Sequence, residues 1–272
     1  MSAIEAIVLG IVQGLTEFLP ISSTGHVRIV PALFGWPDPG AAFTAVIQLG
    51  TMAAVVIYFR QDLWRISTTW LRSLVRPELR SHHDARMGWF ILLGTIPVGI
   101  CGFVFRHQIE TAARSLWVIG IVMIVFSFVM AAADRAATRT RDVGDINRGD
   151  AIFIGIFQAL ALIPGVSRSG STITAGLFRG LNEVAAARYS FLLSVPAVVA
   201  SGLFEMRKIG EAGAHASPEM TALAALLAFI SGYAAIAFLL RWLSTHNLTP
   251  FVVYRLVVGA AILVLTGTGT IS

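Results

Sequence analysis

Glu17-Phe18-Leu19-Pro20-Ile21-Ser22-Ser23-Thr24-Gly25-His26 gathers a carboxylate, three hydroxyls and an imidazole at the end of an apolar run. Upstream, Ile4 to Leu15 is apolar and carries glycine, so Glu17 lies in or beside a membrane-embedded helix. An ionisable group at membrane depth is costly and marks a functional position by default. Pro20 ends that helix. Ser22, Ser23 and Thr24 are helix-capping residue types ahead of a second short apolar run, Val27 to Trp36. Helix N–H groups would therefore be left facing a ligand, which favours an anion.

The rest of the chain supports a membrane reading. It has 272 residues, 56% hydrophobic and 13% charged, with a mean hydropathy of +0.77, well beyond the range of a soluble domain. The formal net charge of +5 comes from arginine, Lys208 being the only lysine, and the basic residues cluster in loops. That distribution speaks against a nucleic-acid partner. Cys101 is the single cysteine and sits in an apolar run, which excludes a disulfide framework and a cysteine metal site. The N-terminus lacks the pattern of a removable signal.

Six segments are long enough to cross a bilayer at about 20 residues per span. They are Ala41 to Phe59, Gly88 to Phe105, Leu116 to Ala133, Ala187 to Phe204, Met220 to Leu240 and Pro250 to Thr266. Four shorter runs, Ile4 to Leu19, Val27 to Trp36, Ala151 to Ile163 and Ile173 to Leu181, form two pairs, each hinged on a Pro, Ser and Gly cluster. Interrupted segments of this kind read as re-entrant hairpins, tolerated where they are buried in protein or line a wet cavity.

The two hinged pairs are alike. A shift of 145 positions sets Gly10, Ile11, Gln13, Leu15, Ser22 and Gly25 against Gly155, Ile156, Gln158, Leu160, Ser167 and Gly170. Each pair precedes three spans, and an odd number inverts the second half relative to the first. The expectation is one all-α polytopic domain, 1–272, of six transmembrane helices and two re-entrant helical hairpins. It is built as inverted-topology repeats of about 1–134 and 150–268, with the hinges meeting near the midplane.

Arginine counts orient it. Arg60, Arg65, Arg72, Arg76, Arg80, Arg86, Arg135, Arg139, Arg141, Arg148 and Arg241 fall in alternate connections; Arg106, Arg114, Arg207 and Lys208 fall in the others. The larger set belongs in the cytoplasm. Both termini and the first hairpin then face outward, while the second enters from inside. Arg60 to Met87, with Trp64 and Trp70, reads as a membrane-surface stretch touching anionic headgroups.

The second hinge is Pro164-Gly165-Val166-Ser167-Arg168-Ser169-Gly170-Ser171-Thr172. An arginine within a small-residue turn before a short helix presents a donor fork matched to phosphate oxygens, with hydroxyls and helix N–H groups behind it. It is not a Walker A loop, because no Gly-Lys-[Ser/Thr] follows. A structural pairing of Arg168 with Glu17 is the plain alternative.

Together, Gln13 to His26 and Pro164 to Thr172 resemble the two signature motifs of the undecaprenyl-diphosphate phosphatases of the BacA/UppP type, in order and at the expected separation. The resemblance implies an integral enzyme of the bacterial plasma membrane that hydrolyses undecaprenyl diphosphate to the monophosphate, recycling the lipid carrier of cell-wall synthesis. Its active site would be extracytoplasmic and assisted by a divalent cation such as Mg²⁺ or Ca²⁺. It also implies Glu17, Ser23, His26 and Arg168 as catalytic residues. Gln13, Ser22, Thr24, Ser167, Ser169 and Thr172 would line the substrate site, with Glu17 and Gln13 as metal ligands. Gln13 departs from the many relatives that carry a second glutamate there. It still shares a helix face with Glu17 four residues on.

The residues leave two routes open: attack by Ser23 with Glu17 or His26 as base, or attack by water activated by Glu17. They also leave open a transporter of lipid phosphate, since inverted repeats with broken helices are a transporter architecture. Expected partners are the prenyl diphosphate and membrane lipids, with a homodimer undecided. Elsewhere, Arg28 is a candidate phosphate contact, Arg255 is expected to snorkel, and Glu183 and Arg188 to pair or to face the cytoplasmic interface. His82, His83 and Asp84 read as solvated loop residues.

Overall fold

The computed structural model describes residues 1–105, 107–108, 115–205 and 217–271, with backbone alone at 41–42 and 200–205. Arg106, Arg114, Arg207 and Lys208 lie outside the described residues, so the sparser set of basic loop residues has no structural counterpart here. Among the described residues the chain is helical and has no strand, only an isolated bridge between Arg141 and Leu181.

Eleven helices are described. The first hinged pair is α1 (Ala3–Phe18) and α2 (Ser23–Phe34), followed by α3 (Gly40–Tyr58), α4 (Arg60–Val75), α5 (His83–Val104) and α6 (Leu116–Ala136). The second pair is α7 (Arg148–Leu160) and α8 (Arg168–Phe178), followed by α9 (Glu183–Glu205), α10 (Pro218–Leu243) and α11 (Thr249–Gly267). Four helices, α5, α6, α10 and α11, are each long and apolar enough to cross a membrane. A fifth span arises if α3 is taken with α4, from which it is bent by 80°. This is a multi-pass membrane protein.

Burial explains why α9 is less apolar than the other long helices. Its described face packs into the centre of the molecule, burying Ala185, Tyr189, Ser190, Leu193 and Ser194 against α3, α5 and α8. A helix surrounded by protein tolerates serines that a lipid-facing helix would not. The outer helices show the reverse, leaving Ile96, Phe103, Phe128, Ile230 and Val257 exposed as a greasy exterior.

Glycines set the closest contacts. Gly10 and Gly14 of α1 lie against the backbone of Ala224, Ala228 and Gly232 on α10, so near that an added Cβ would fall 2.5 Å from a carbonyl oxygen at either position. Gly155 of α7 approaches Gly94 of α5 in the same way, again 2.5 Å from its carbonyl oxygen. Small residues at helical spacing let backbones approach where lipid supplies no hydrophobic drive. Gly10 and Gly155 occupy matching positions of the two hinged pairs. Each short helix is thus held along a long one: α1 on α10, α7 on α5.

Salt bridges gather several connections on one face. Arg188 of α9 reaches Asp62 of α4 at 2.7 Å, Arg139 pairs with both Asp134 and Glu183, and Thr249 reaches Asp134 at 3.4 Å. The expected pairing of Glu183 with Arg188 gives way to these partners, because the chain entering α9 folds back on the 134–141 connection. Arg179, just past α8, donates to Asp150 at the start of α7 at 2.6 Å, and Arg141 grips the same carboxylate. The two ends of the α7–α8 pair therefore lie together. Asp84 is held by Arg65 at 2.9 Å, with His82 and His83 beside it.

Candidate active site

Both hinges adopt the same backbone. Ser22 has φ 77° and ψ 91°, and Ser167 has φ 74° and ψ 121°. With Arg139 they are the positive-φ residues other than glycine among those described. Non-glycine residues held there carry strain of about 1–3 kcal/mol and cluster at functional sites. Each serine caps its helix: the Ser22 hydroxyl accepts from Gly25 N–H at 3.3 Å, and the Ser167 hydroxyl from Gly170 N–H at 3.1 Å. The first helical bonds then run from His26 N to Ser22 O and from Ser171 N to Ser167 O. The amides of the opening residues, Ser23 with Thr24 and Arg168 with Ser169, have no intrahelical acceptor, so two positive helix ends open at the hinges.

The hinges touch. Ser169 Oγ donates to Leu19 O at 3.2 Å, and a Cβ on Gly170 would lie 3.5 Å from Pro20 Cβ. Arg255 ties them further. It is fully buried, donating to the carbonyl oxygens of Gly165 at 2.8 Å, Met123 at 3.4 Å and Pro20 at 3.5 Å, and to Ser127 Oγ at 3.1 Å. The expectation that Arg255 snorkels is thus corrected. Snorkelling needs a route to the interface, and α6 with both hinges closes that route, supplying carbonyl acceptors instead of water.

Glu17, buried at 4% exposure, is the hub. Its Oε1 accepts from Arg168 Nη2 at 2.8 Å. Its Oε2 accepts from Gln13 Nε2 at 2.8 Å and from Ser23 Oγ at 2.5 Å. A carboxylate from α1, a hydroxyl opening α2 and a guanidinium opening α8 thus share one point, 151 residues apart in the chain. Ser23 and Arg168 are half-buried, whereas Gln13 and Glu17 are buried, so the hydroxyl and the guanidinium are the reachable ends of the cluster. Arg168 Nη1 is buried without a hydrogen-bond partner, as is Gln13 Oε1. A free donor beside a paired one suits a phosphate oxygen.

His26 stands apart from this hub. Its Nδ1 lies 2.7 Å from Ser22 O and its Nε2 lies 2.7 Å from Tyr254 Oη. A carbonyl only accepts, so Nδ1 carries the proton, and in the neutral ring Nε2 accepts from the tyrosine. Both nitrogens are engaged away from Ser23. Of the other residues expected to line the site, Thr24 is half-buried beside Ser23. Ser167 caps α8 and meets Ser169 Oγ at 3.2 Å. Thr172 turns inward, donating to Arg168 O at 2.8 Å and meeting Ser190 Oγ at 2.5 Å, so it braces α8 on α9 rather than facing the hub. Arg28 pairs with Asp38 at 3.4 Å. Among the described residues no three His, Cys, Asp or Glu side chains group as a metal site.

Tyr254 and Ser127 were not read from the sequence. Their neighbour Arg255 gave the available signal, as an ionisable residue inside an apolar span.

The model of the bacitracin resistance protein BacA family matches residues 6–261. The chain belongs to the BacA family. Its relatives include an undecaprenyl-diphosphatase of Nocardioides sp., 52% identical over 99% of this chain and 98% of the relative. Proteins of the same name from Thermobifida fusca and Myxococcus xanthus are each 52% identical over all of this chain, covering 93% and 92% of their own lengths. The match spans both hinges and all eleven helices except the start of α1 and the end of α11.

Proposed function

We infer that this chain is an undecaprenyl-diphosphatase, an integral membrane hydrolase that removes the terminal phosphate of undecaprenyl diphosphate and returns the lipid monophosphate to cell-wall synthesis. Family membership supplies the substrate. The observation that carries the chemistry is Glu17, shared by Ser23 and Arg168.

A diphosphate repels a nucleophile until its charge is offset. Arg168 and Arg255 bring two guanidiniums to hinges that hold one carboxylate, and two helix N-termini add to the positive field. Arg168 Nη1 and the opening amides of α2 and α8 take the terminal phosphate oxygens. Ser23 Oγ then bonds to the terminal phosphorus as its proton passes to Glu17, and the bond from that phosphorus to the bridging oxygen breaks. Undecaprenyl phosphate leaves with the proton handed on by Glu17, and the regenerated carboxylate deprotonates water, which attacks the serine ester; phosphate is released and Ser23 Oγ recovers its proton from Glu17. Direct attack by water uses the same residues; the Ser23–Glu17 hydrogen bond favours the serine. His26 holds the hinge, because neither of its nitrogens is free to act on Ser23.

A hard divalent cation, Mg²⁺ or Ca²⁺, fits the oxygen donors here. Glu17 is a carboxylate, and the partnerless Gln13 Oε1 would meet it across a cation if the amide were turned over. When bound, such an ion neutralises phosphate oxygens. All the other groups come from one chain, so the reading asks nothing of a homodimer.

The topology belongs to the same inference. The six spans are α3, α5, α6, α9, α10 and α11, and α1–α2 and α7–α8 are re-entrant hairpins related as inverted repeats. The α1–α2 hairpin opens to the outside with both termini and the phosphate site, and α7–α8 enters from the cytoplasm of a bacterial plasma membrane. The pairing of Asp150 with Arg179 and the matched packing of α1 on α10 and α7 on α5 support this. The transporter alternative gains no residue of its own from the site.

The test is phosphate release from undecaprenyl diphosphate by purified protein in detergent with Mg²⁺. Arg168→Ala should lower the rate by about 10²–10³-fold, the usual effect of removing one preorganised charge. An Arg168→Ala variant of undiminished rate would refute the site.

A further inference from the structure

The basic face carries a cavity that the phosphate site does not use. It is half-open, about 990 Å³ in volume, and lies between the end of α4, the start of α5 and the start of α7. Arg80, Arg86 and Arg148 converge on it, with Asn147 beside them; Trp89, Phe90 and Leu93 form its apolar wall.

Two features mark it as a seat rather than a solvated gap. The first is charge left unbalanced. On the same face Arg65, Arg139, Arg141, Arg179 and Arg188 each hold a carboxylate. The three arginines of the cavity hold none: Arg80 reaches only Ser73 O at 3.4 Å, and Arg86 lies over the Phe90 ring at 5.6 Å. All three are exposed, so an anion can reach them from outside and would relieve what repulsion solvent leaves between them.

The second is polarity graded along one helix face. Arg86, then Trp89 and Phe90, then Leu93 follow at the i, i+3, i+4 and i+7 positions of α5, a helix apolar enough to span. Over about 10 Å of rise the wall passes from guanidinium through indole to aliphatic. Trp89 meets Trp70 edge-on, and the Trp70 indole N–H is buried without a partner. A headgroup at the arginines with a chain laid along Leu93 matches that gradient; a free anion leaves the apolar wall unused.

We propose that this cavity binds an anionic phospholipid of the surrounding leaflet, its phosphate on Arg80, Arg86 and Arg148 and an acyl chain against Trp89, Phe90 and Leu93. Basic pockets between membrane helices recognise lipid headgroups in this manner.

Delipidated full-length protein in detergent is titrated with phosphatidylglycerol. Binding is read by native mass spectrometry and by the rise in unfolding temperature. Phosphatidylcholine with the same chains and inorganic phosphate serve as comparison ligands. Phosphatidylglycerol should bind saturably, and the triple variant Arg80→Gln, Arg86→Gln, Arg148→Gln should weaken it on the order of 100-fold, about fivefold per arginine. Phosphate release by the triple variant in neutral detergent should stay within about twofold, since none of the three touches Glu17, Ser23 or Arg168; that readout reports folding. Should the triple variant not fold, Arg86→Gln and Arg148→Gln singly should each weaken binding about fivefold. Three results would overturn the proposal: unchanged phosphatidylglycerol affinity in the folded variants, equal binding of phosphatidylcholine, or equal stabilisation by inorganic phosphate alone.

Discussion

The two hinges share a backbone and differ in their cargo. Ser22 and Ser167 take the same positive-φ conformation and cap in the same way, and one residue later Ser23 stands where the other hinge has Arg168. Glu17 corresponds in the 145-residue register to Leu162, and His26 to Ser171, while Gln13 keeps its identity as Gln158. Gln158 has retained burial and a partnerless amide oxygen as well, but bonds to Gly94 O instead of a carboxylate. Two helix ends of like geometry therefore face each other, one bringing Glu17 and Ser23 and the other Arg168, and the three side chains meet at one point.

That division can be broken at Glu17. Glu17→Gln should lower phosphate release by about 10³–10⁴-fold, as expected for loss of a positioned base and its charge. Leu162→Met, at the matching position, should change the rate by less than about twofold. Comparable losses in both would erase the asymmetry.

Ser23→Ala comes next. Loss of a nucleophile should cost roughly 10²–10³-fold, with the residual rate left to water activated by Glu17. Acid quench of the wild type during turnover should leave a phosphoserine at Ser23 detectable by mass spectrometry. A Ser23→Ala enzyme within about fivefold of wild type would assign the attack to water.

Stability should treat the hinges alike where activity does not. Ser22→Ala and Ser167→Ala each remove a cap at a strained φ, and each should cost about 1–3 kcal/mol, read as a similar fall in unfolding temperature. The glycine variants should lose only a few tenths of a kcal/mol, because glycine tolerates positive φ. A large difference between the hinges would mean that their shared backbone is not shared energetically.

The smallest effect concerns acid. Burial pushes the Asp150 carboxyl up, but hydrogen bonds from Arg141 and Arg179 outweigh it and hold the group below the usual carboxylate range. A lowered folded value stabilises the fold above the ordinary carboxylate pKa of about 4, and that contribution fades as pH falls through the lowered value. Asp150→Asn should flatten the acid limb of the unfolding temperature below about pH 4. An unchanged limb would place acid sensitivity elsewhere.

Much of the site was legible because membrane burial makes polar residues expensive. Glu17, Arg168 and the serines stand out against apolar runs, and the two hinges carry Gly, Gln and Ser at matched positions. Arg255 was legible as a residue and misread as a role: its direction depends on α6 and both hinges closing around it. The partners of Glu183 and Arg188 escaped for the same reason. His26 shows the limit most plainly, since its spacing from Ser23 suits a base while its ring is held by Ser22 and Tyr254.

Composition, span lengths and the repeat of Gly, Gln and Ser at matched positions determined a multi-pass helical protein with two hinges, because the bilayer allows few other solutions for such a pattern. Which groups meet was decided by tertiary structure alone. Glu17, Ser23 and Arg168 converge because glycines bring α1 and α7 hard against their long neighbours and Arg255 knots the two turns together. Those are contacts between residues from about sixty to more than two hundred positions apart, and no local periodicity encodes them.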